Sequence, residues 1–439
     1  MSGMSAGKRT VLFLTAEKIF QIGSIAIVNI ILLRSLGPEN FGYLGSATAI
    51  LAIALPLASF GQISITRHMA AGRMDRTRLA KFAFVLSSCT AALSAIGIVA
   101  LAFSPLFQVE PTHHLLLILS LAALSRPLSA VDAFFQATGQ NGTAASARLL
   151  ALLIPTALRI TIAFTSQSLD QLAWVIVLEN VTAGLLLAIA FAVNKERRRR
   201  TDEVALPIPY REIVAQSVPL LVAGLAVILY MRVSQPLLLV LANSAEVAYF
   251  SAATNLSDAL SFIPTILLSA LLPALVILHG KSVNEFQTRM RSIFEFTAGM
   301  GTLFAIGGVI LGPFVVDLLY GPEYSESGVV VQILFLACPF IFIGILRNIW
   351  VITQGLQRET LVGSAVAVSV NVAANFALIP QFGAVGAAIA ALLAHVINGF
   401  LAFALFRKTR PIFLDAFSSL LPWRSLPTLF RSIKARRIV

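Results

Sequence analysis

Arg232 stands in the middle of the run AVILYMRVSQPLLLVL, from Ala226 to Leu241, where a permanent positive charge has almost nothing polar around it. It is not alone. Lys18, Arg126, Arg159 and Arg347 also fall within long apolar runs, as do the acids Glu17, Asp132, Glu179 and Asp258. A charge at the centre of a bilayer costs about 2.5–3.5 kcal/mol even on permissive insertion scales, so five unrelieved cations would cost roughly 12–17 kcal/mol, comparable with the whole stability of a domain. Such groups must pair with one another or face a wet cavity. Basic residues exceed acidic ones within these runs by five to four, with Arg126, Arg159 and Arg232 near the middle. The guanidinium fork forms bidentate, charge-assisted hydrogen bonds with phosphate, so a cavity with these patches would favour an anionic, phosphorylated cargo.

Helical spacing lines further polar groups up with the charges. Ser125, Ser129, Asp132 and Gln136 follow i, i+4, i+7, i+11; Glu17, Gln21 and Ser24 follow the same rule, as do Ser251, Asn255 and Asp258, and Ser364, Asn371 and Asn375. These faces can line something polar. They can also serve packing alone: Arg232 with Asp258 as an interhelical ion pair, Lys18 and Arg347 snorkelling to the cytoplasmic surface, the Asn and Ser stripes as helix–helix contacts.

The elements that must hold these residues are set by composition. The chain has 439 residues, 58% of them hydrophobic and only 12% charged, with a mean hydropathy of +0.88. That excludes a soluble globular chain, which would carry about a quarter charged residues. The fold class expected is an all-α integral membrane protein. The net charge of +12 does not signal nucleic acid, because the basic residues are spread through short loops. Cys89 and Cys338 lie inside apolar runs and read as small core residues. The first apolar run follows Lys8 and Arg9 but carries Glu17, Lys18 and Gln21 and lacks a small-residue cleavage site, so it reads as a retained helix.

A hydrocarbon core about 30 Å thick needs roughly 20 apolar residues per crossing. Twelve such spans are expected, at about 9–34, 41–66, 80–104, 114–138, 146–166, 170–194, 212–241, 247–279, 292–320, 329–353, 359–379 and 383–406. Pro127, Pro155, Pro236, Pro264 and Pro339 fall inside them. Lys and Arg occupy the even-numbered connections, from RHMAAGRMDRTRLAK through Arg148, KERRRR and KSVNEFQTRMR to Arg358, while Arg34 alone interrupts the odd-numbered ones. The positive-inside rule then puts both termini and the even-numbered connections in the cytoplasm. FGYLGSAT from Phe41 aligns with VAYFSAAT from Val247, each opening the second helix of a half. The expected organisation is therefore a six-helix lobe over 1–194, a basic linker over 195–211, a second six-helix lobe over 212–406, and a tail over 407–439, with a central cavity between the lobes. The tail mixes Phe, Leu and Trp with Arg and Lys, as a helix lying on the membrane or as a disordered basic segment.

Three motifs, RSLGPENFGYLGSA from Arg34, DLLYGPEY from Asp317 and NVAANFALIPQFGAVGAAIA from Asn371, resemble those of Wzx-type polysaccharide and O-antigen flippases, within the multidrug/oligosaccharidyl-lipid/polysaccharide flippase superfamily. The resemblance spans essentially the whole chain. It implies translocation of an undecaprenyl-diphosphate-linked oligosaccharide across a bacterial inner membrane by alternating access, with membrane lipid and a polysaccharide polymerase or chain-length-control proteins as the partners to look for. It also implies a cationic lumen, for which Arg126, Arg159, Arg232, Arg347, Lys18, Gln21, Asn371 and Asn375 are the candidate contacts. Relatives often place an Asp just after the Arg of the seventh helix; here Ser234 and Gln235 follow, which leaves Asp258, Asp132 and Glu17 as candidates for ion coupling.

Two other classes compete. A drug or metabolite exporter of the same superfamily would be expected to present carboxylates in excess when its cargo is an organic cation. A membrane polymerase or ligase would need a sizeable outer loop, and every odd connection is short. No metal-ligand spacing, phosphate-cradling Gly-Lys loop or nucleophile elbow occurs, so neither a cofactor nor enzymatic activity is expected. His113 and His114 are adjacent rather than on one helical face and read as surface residues.

Overall fold

The computed structural model describes residues 6–72, 74–194, 208–354, 357–405 and 409–420. Two compact units divide the chain, Met1–Ile228 and Leu229–Val439. In the first lie α1 (Ala6–Ala58), α2 (Gln62–Ala70), α3 (Arg76–Ala102), α4 (Thr112–Leu124), α5 (Asp132–Ala137), α6 (Asn141–Phe164), α7 (Leu169–Val193) and most of α8 (Tyr210–Arg232). The second holds the end of α8 with α9 (Ser234–Leu241), α10 (Ser244–Leu260), α11 (Phe262–Lys281), α12 (Val283–Tyr320), α13 (Ser327–Phe335), α14 (Cys338–Gln354), α15 (Gln357–Val396), α16 (Ala402–Leu405) and α17 (Arg410–Leu420). The described residues contain no strand. Among the described residues eight helices are long and apolar enough to cross a membrane, and nine if the bent pair Ser327–Phe335 and Cys338–Arg347 forms one span. The chain is a multi-pass, all-α membrane protein.

Two of those spans, Glu17–Ala58 and Glu359–Leu401, have 42 and 43 residues, about twice what a 30 Å core requires at 1.5 Å per residue. Both are broken by a glycine that no other residue replaces easily. Gly37 has φ 72° and ψ 171°, and Gly383 has φ 52° and ψ −129°. Gly321, with φ 95° and ψ 171°, ends α12 in the same way as Gly37 bends α1. Each of Gly37 and Gly321 begins a Gly-Pro-Glu triplet: the following proline favours an extended ψ, and the positive φ is open to glycine. The three motifs that resemble the flippases therefore each contain a chain reversal or stop. At the third, Glu246 of α10 accepts a hydrogen bond from the Ala384 amide at 2.6 Å and so caps the restarted helix.

The prolines within the expected spans act at helix starts more often than as kinks. Pro127 opens a 3₁₀ segment, Arg126–Val131, that separates α4 from α5; Pro236 lies in the first turn of α9 and Pro339 in that of α14, where a missing N–H costs nothing. Pro155 alone of these sits deep inside a continuous helix, α6. The expected eighth span divides at Ser261, two helices meeting there as α10 and α11. Linker residues 195–207 and tail residues 421–439 lie outside the described part. The start of the tail is helical, and Phe413 and Phe417 of α17 stack against Phe400, with centroids 4.8 and 6.1 Å away.

Each unit has its own aromatic and aliphatic core. Phe134, Phe135, Leu79, Ile65 and Ile213 bury together in the first, and Phe286, Phe294, Met290, Ile343 and Leu346 in the second. α12 shows how the lipid-facing and packed sides are separated. Ile306, Ile310 and Phe314, one turn apart, are exposed at 46%, 69% and 66%, as lipid-facing positions should be. Gly301, Gly308 and Gly312 face α13 and α14, and the last two make a small-xxx-small pair that admits Phe335 and Val331. A methyl on Gly308 would lie 1.8 Å from the Phe335 ring, whereas one on the adjacent Gly307 would meet nothing within 4 Å. Gly308→Ala should therefore lower the stability by about 1–3 kcal/mol through overpacking. Gly307→Ala should be neutral or stabilising by up to about 1 kcal/mol. Thermal unfolding of the detergent-solubilised variants checks the pair; equal shifts would show that α12 does not pack in this way.

Candidate functional site

In the first unit, the interruption of the fourth span matters for more than shape. The 3₁₀ segment turns Arg126 towards the break between α1 and α2, where Gly61 is left-handed at φ 84°. Arg126 Nε and Nη2 both donate to Ser59 Oγ, at 3.2 and 3.0 Å. The guanidinium lines a narrow cleft with Gln62, Ser87 and Ser129. Among the described residues no carboxylate lies within ion-pair range of it.

The other acids of this unit are committed elsewhere. Arg148 of α6 donates through Nε to Glu17 Oε1 and through Nη1 to Asp132 Oδ1, both at 3.0 Å. Gln136 Nε2 donates to the second oxygen of Asp132 at 3.0 Å. One guanidinium thus ties α1 to α5 and α6. Glu17 is 3% exposed, and its Oε2 has no hydrogen-bond partner. The sequence treats Arg148 as a loop charge, although it lies two residues inside the expected fifth span; that position, opposite two intramembrane acids, was the signal for it. Lys18 is exposed and its Nζ donates to Gln21 Oε1 at 3.1 Å, so these two candidates meet each other. Arg159 forms an ion pair with Glu179 across α6 and α7.

In the second unit, Arg232 is the last residue of α8, and Val233 separates it from α9. A helix C-terminus is a favourable place for a cation, because its carbonyls carry partial negative charge. Arg232 Nη2 also donates to Asp258 Oδ2 at 2.9 Å. The two side chains remain 28% and 38% exposed, against 16% and 25% for Arg159 and Glu179; Arg148 is as open, at 29%, but is held by two carboxylates that are only 2% and 15% exposed. Arg232 therefore has a partner and a face that a ligand can reach.

The remaining candidates are buried. Asn375, 0% exposed, donates to Ser234 Oγ at 3.1 Å and to Asn371 Oδ1 at 3.1 Å; Gln235 donates to Ser251 at 3.0 Å. This seam holds α9 against α10 and α15. Arg347, 4% exposed, donates to the carbonyl of Asn398. That carbonyl belongs to a π-helical turn, Ile397–Leu401, whose wider winding frees backbone acceptors. Ser364 and Tyr230 fix the Asn398 amide at 3.0 and 3.1 Å, and His395 lies edge-on to Tyr230 at 5.5 Å. The structure thus joins Glu17 with Asp132, Arg232 with Asp258 and Asn371 with Asn375, and leaves Arg126 held by a hydroxyl.

Helices long enough to cross a membrane, broken at charged residues and joined by buried polar seams place the chain among multi-pass membrane proteins with polar groups inside their spans. The profile of the family described as polysaccharide biosynthesis protein matches residues 8–279. The chain belongs to that family. No curated protein matches the sequence. Among solved structures, the chain is similar to an inward-facing multidrug resistance MATE family transporter of the MOP superfamily, at 15% identity and TM-score 0.73, over 95% of this chain and 97% of that one. It is also similar to a MOP superfamily transporter from Pyrococcus furiosus whose binding pocket has reverse polarity, at 14% identity and TM-score 0.62, over 97% and 96% of the two chains. A third likeness is to the lipid II flippase MurJ in an inward closed conformation, at 11% identity and TM-score 0.59, over 97% and 93%. At these identities the likeness establishes the fold, which is that of membrane transporters.

Arg148 answers two carboxylates, so its removal leaves uncompensated charge on both. Arg148→Ala should destabilise the protein by about 3 kcal/mol or more, and Asp132→Asn in that background should restore part of the loss. A double-mutant cycle read by thermal unfolding checks this; simple additivity would mean that the clamp contributes no coupling.

Proposed function

We propose that this protein is a flippase that moves undecaprenyl-diphosphate-linked oligosaccharide repeat units from the cytoplasmic to the periplasmic leaflet of the inner membrane, by alternating access, for surface polysaccharide such as O-antigen or exopolysaccharide. Family membership and the transporter fold support a carrier in polysaccharide biosynthesis. The observation that carries the choice of cargo is Arg126: a cation inside a span, at a helix break, whose hydrogen bonds go to Ser59 and to no carboxylate. An anion is the chemical complement of such a group. Arg232 is the second contact, because its pair with Asp258 is open enough for a phosphate oxygen to replace the carboxylate. Arg159, Arg347, Asn371 and Asn375 then serve chiefly to hold helices in place, with Lys18 and Gln21 at the cytoplasmic entrance.

The organisation that accompanies this function is the one the loop charges imply. It has twelve crossings in two six-helix lobes, over 1–194 and 212–406, both termini in the cytoplasm, a basic linker over 195–211 and the tail over 407–439 at the inner leaflet. Asp258, Asp132 and Glu17 are the acids available for ion coupling. Handing the cargo to a polymerase and its chain-length-control partner would follow on the periplasmic side.

Hydrogen bonds to a charged group contribute about 1.5–3 kcal/mol, so Arg126→Ala or Arg232→Ala should slow translocation roughly ten- to a hundredfold. Arg232→Lys, which keeps the charge and loses the fork, should fall between. The measurement is translocation of a fluorescent lipid-diphosphate-linked oligosaccharide in proteoliposomes. Wild-type rates in both alanine variants, with protein correctly inserted, would rule out this cargo site.

A further inference from the structure

Ser59 is shared between two cavities. On one side is the cleft that holds Arg126. On the other is a larger groove of about 180 Å³, walled by Pro56, Phe60, Ile63, Leu220 and Leu221, with Ser59, Gln62, Ser64 and Ser217 as its polar groups. The groove lies within the first unit, between the α1–α2 break and the first half of α8. Its volume is that of about six water-sized groups at about 30 Å³ each, which is on the order of one five-carbon isoprenyl unit.

Ser59 and Ser64 each have hydrogen-bonding capacity left over. Ser59 Oγ accepts twice from Arg126, and its own proton has no acceptor among the described residues. A hydroxyl that accepts from a guanidinium is polarised and donates more strongly to an anion on its other side. Ser64 is 1% exposed and lines the same groove, yet its Oγ has no hydrogen-bond partner. A buried hydroxyl left in that state is costly unless something else completes it. The groove therefore has an apolar wall, one hydroxyl, Ser59, backed by a positive charge, and a second lining residue, Ser64, whose buried hydroxyl is unpartnered.

We propose that this groove seats the junction between head and tail of the lipid carrier: a phosphate oxygen at Ser59 and Ser64, with Arg126 behind Ser59, and the phosphate-proximal isoprenyl unit against Phe60, Leu220 and Leu221. The assignment rests on the lipid-diphosphate cargo proposed above and adds where in the first unit that lipid is held. The junction of an isoprenyl diphosphate is the part common to every cargo of this class, whatever its sugar.

Gly224 provides a test that spares the polar groups. It lines the groove, and a Cβ added there meets nothing within 4 Å, so Gly224→Phe fills the groove from its open side; Gly224→Leu is the milder variant should the phenylalanine fail to fold. Binding of farnesyl diphosphate, inorganic diphosphate, farnesol and dioleoyl phosphatidic acid to the purified full chain in detergent is measured by calorimetry. Farnesyl diphosphate should bind at least about tenfold more tightly than the other three. Gly224→Phe should remove that advantage and leave inorganic diphosphate unchanged, and Ser59→Ala should weaken both diphosphates by the same factor. Equal binding of farnesyl and inorganic diphosphate to the wild type would overturn the proposal, as would an unaltered preference in Gly224→Phe and Gly224→Leu. Farnesol or phosphatidic acid binding as tightly as farnesyl diphosphate would mark a general lipid groove and overturn it too. In each of those cases the loss of translocation in Arg126→Ala would still stand for the flippase itself; if no diphosphate probe binds at all, the lipid-diphosphate cargo falls with the groove.

Discussion

Every intramembrane cation of this protein must be answered by something, because hydrocarbon offers neither water nor counterions. The kind of answer separates the groups by role. Arg159 is answered by a carboxylate and Arg148 by two, which spends the guanidinium on fixing helices. Arg347 is answered by a backbone carbonyl that a π-helical turn makes available. Arg232 has a carboxylate but keeps part of its surface open. Arg126 donates to a neutral hydroxyl, and the acid that acts on its charge, Asp132, is itself paired with Arg148, so no carboxylate touches Arg126 directly. A charge that the protein leaves in place at that cost is available to a ligand.

Backbone breaks make these answers possible. A continuous helix presents side chains only at fixed rotations, and its carbonyls are already bonded. The 3₁₀ segment at Arg126, the stop at Arg232 and the π turn at Asn398 each release the side chain or the carbonyl from that register. Discontinuous helices at membrane depth need protein or a wet cavity around them. Breaks that coincide with charged residues are therefore hard to explain by packing alone, whereas those at Gly37 and Gly383 interrupt two helices that are longer than one crossing needs.

The class of fold was legible because one-dimensional quantities determine it. Hydropathy and loop charge report which segments meet lipid, and the glycines that reverse the chain sit inside motifs that the sequence displays openly. Site geometry was legible only in part. The Arg232–Asp258 pair could be anticipated from two charges in neighbouring spans; the clamp at Arg148 could not, because the edge of a span reads as a loop charge and one of its two partners, Glu17, is 131 residues away. Nor could spacing distinguish Asn371 and Asn375, which share the helical period of lumen-facing residues and are 0% exposed. Period tells which residues share a face. It does not tell what that face meets.

If the proposed cargo is held at Ser59, the indirect arrangement there would suit a carrier better than a bare arginine. A guanidinium in direct bidentate contact with a diphosphate in a dry site forms the strongest pairing available to it, and strong pairing retains cargo. Placing a hydroxyl between charge and ligand keeps the attraction while weakening the bond that must break on release. At Arg232 the same end is met differently, since Asp258 stands beside the guanidinium and can reclaim it as the anion leaves. For the anionic cargo proposed above, one contact would be softened by an intervening dipole and the other by a competing carboxylate, so that neither would make departure prohibitively slow.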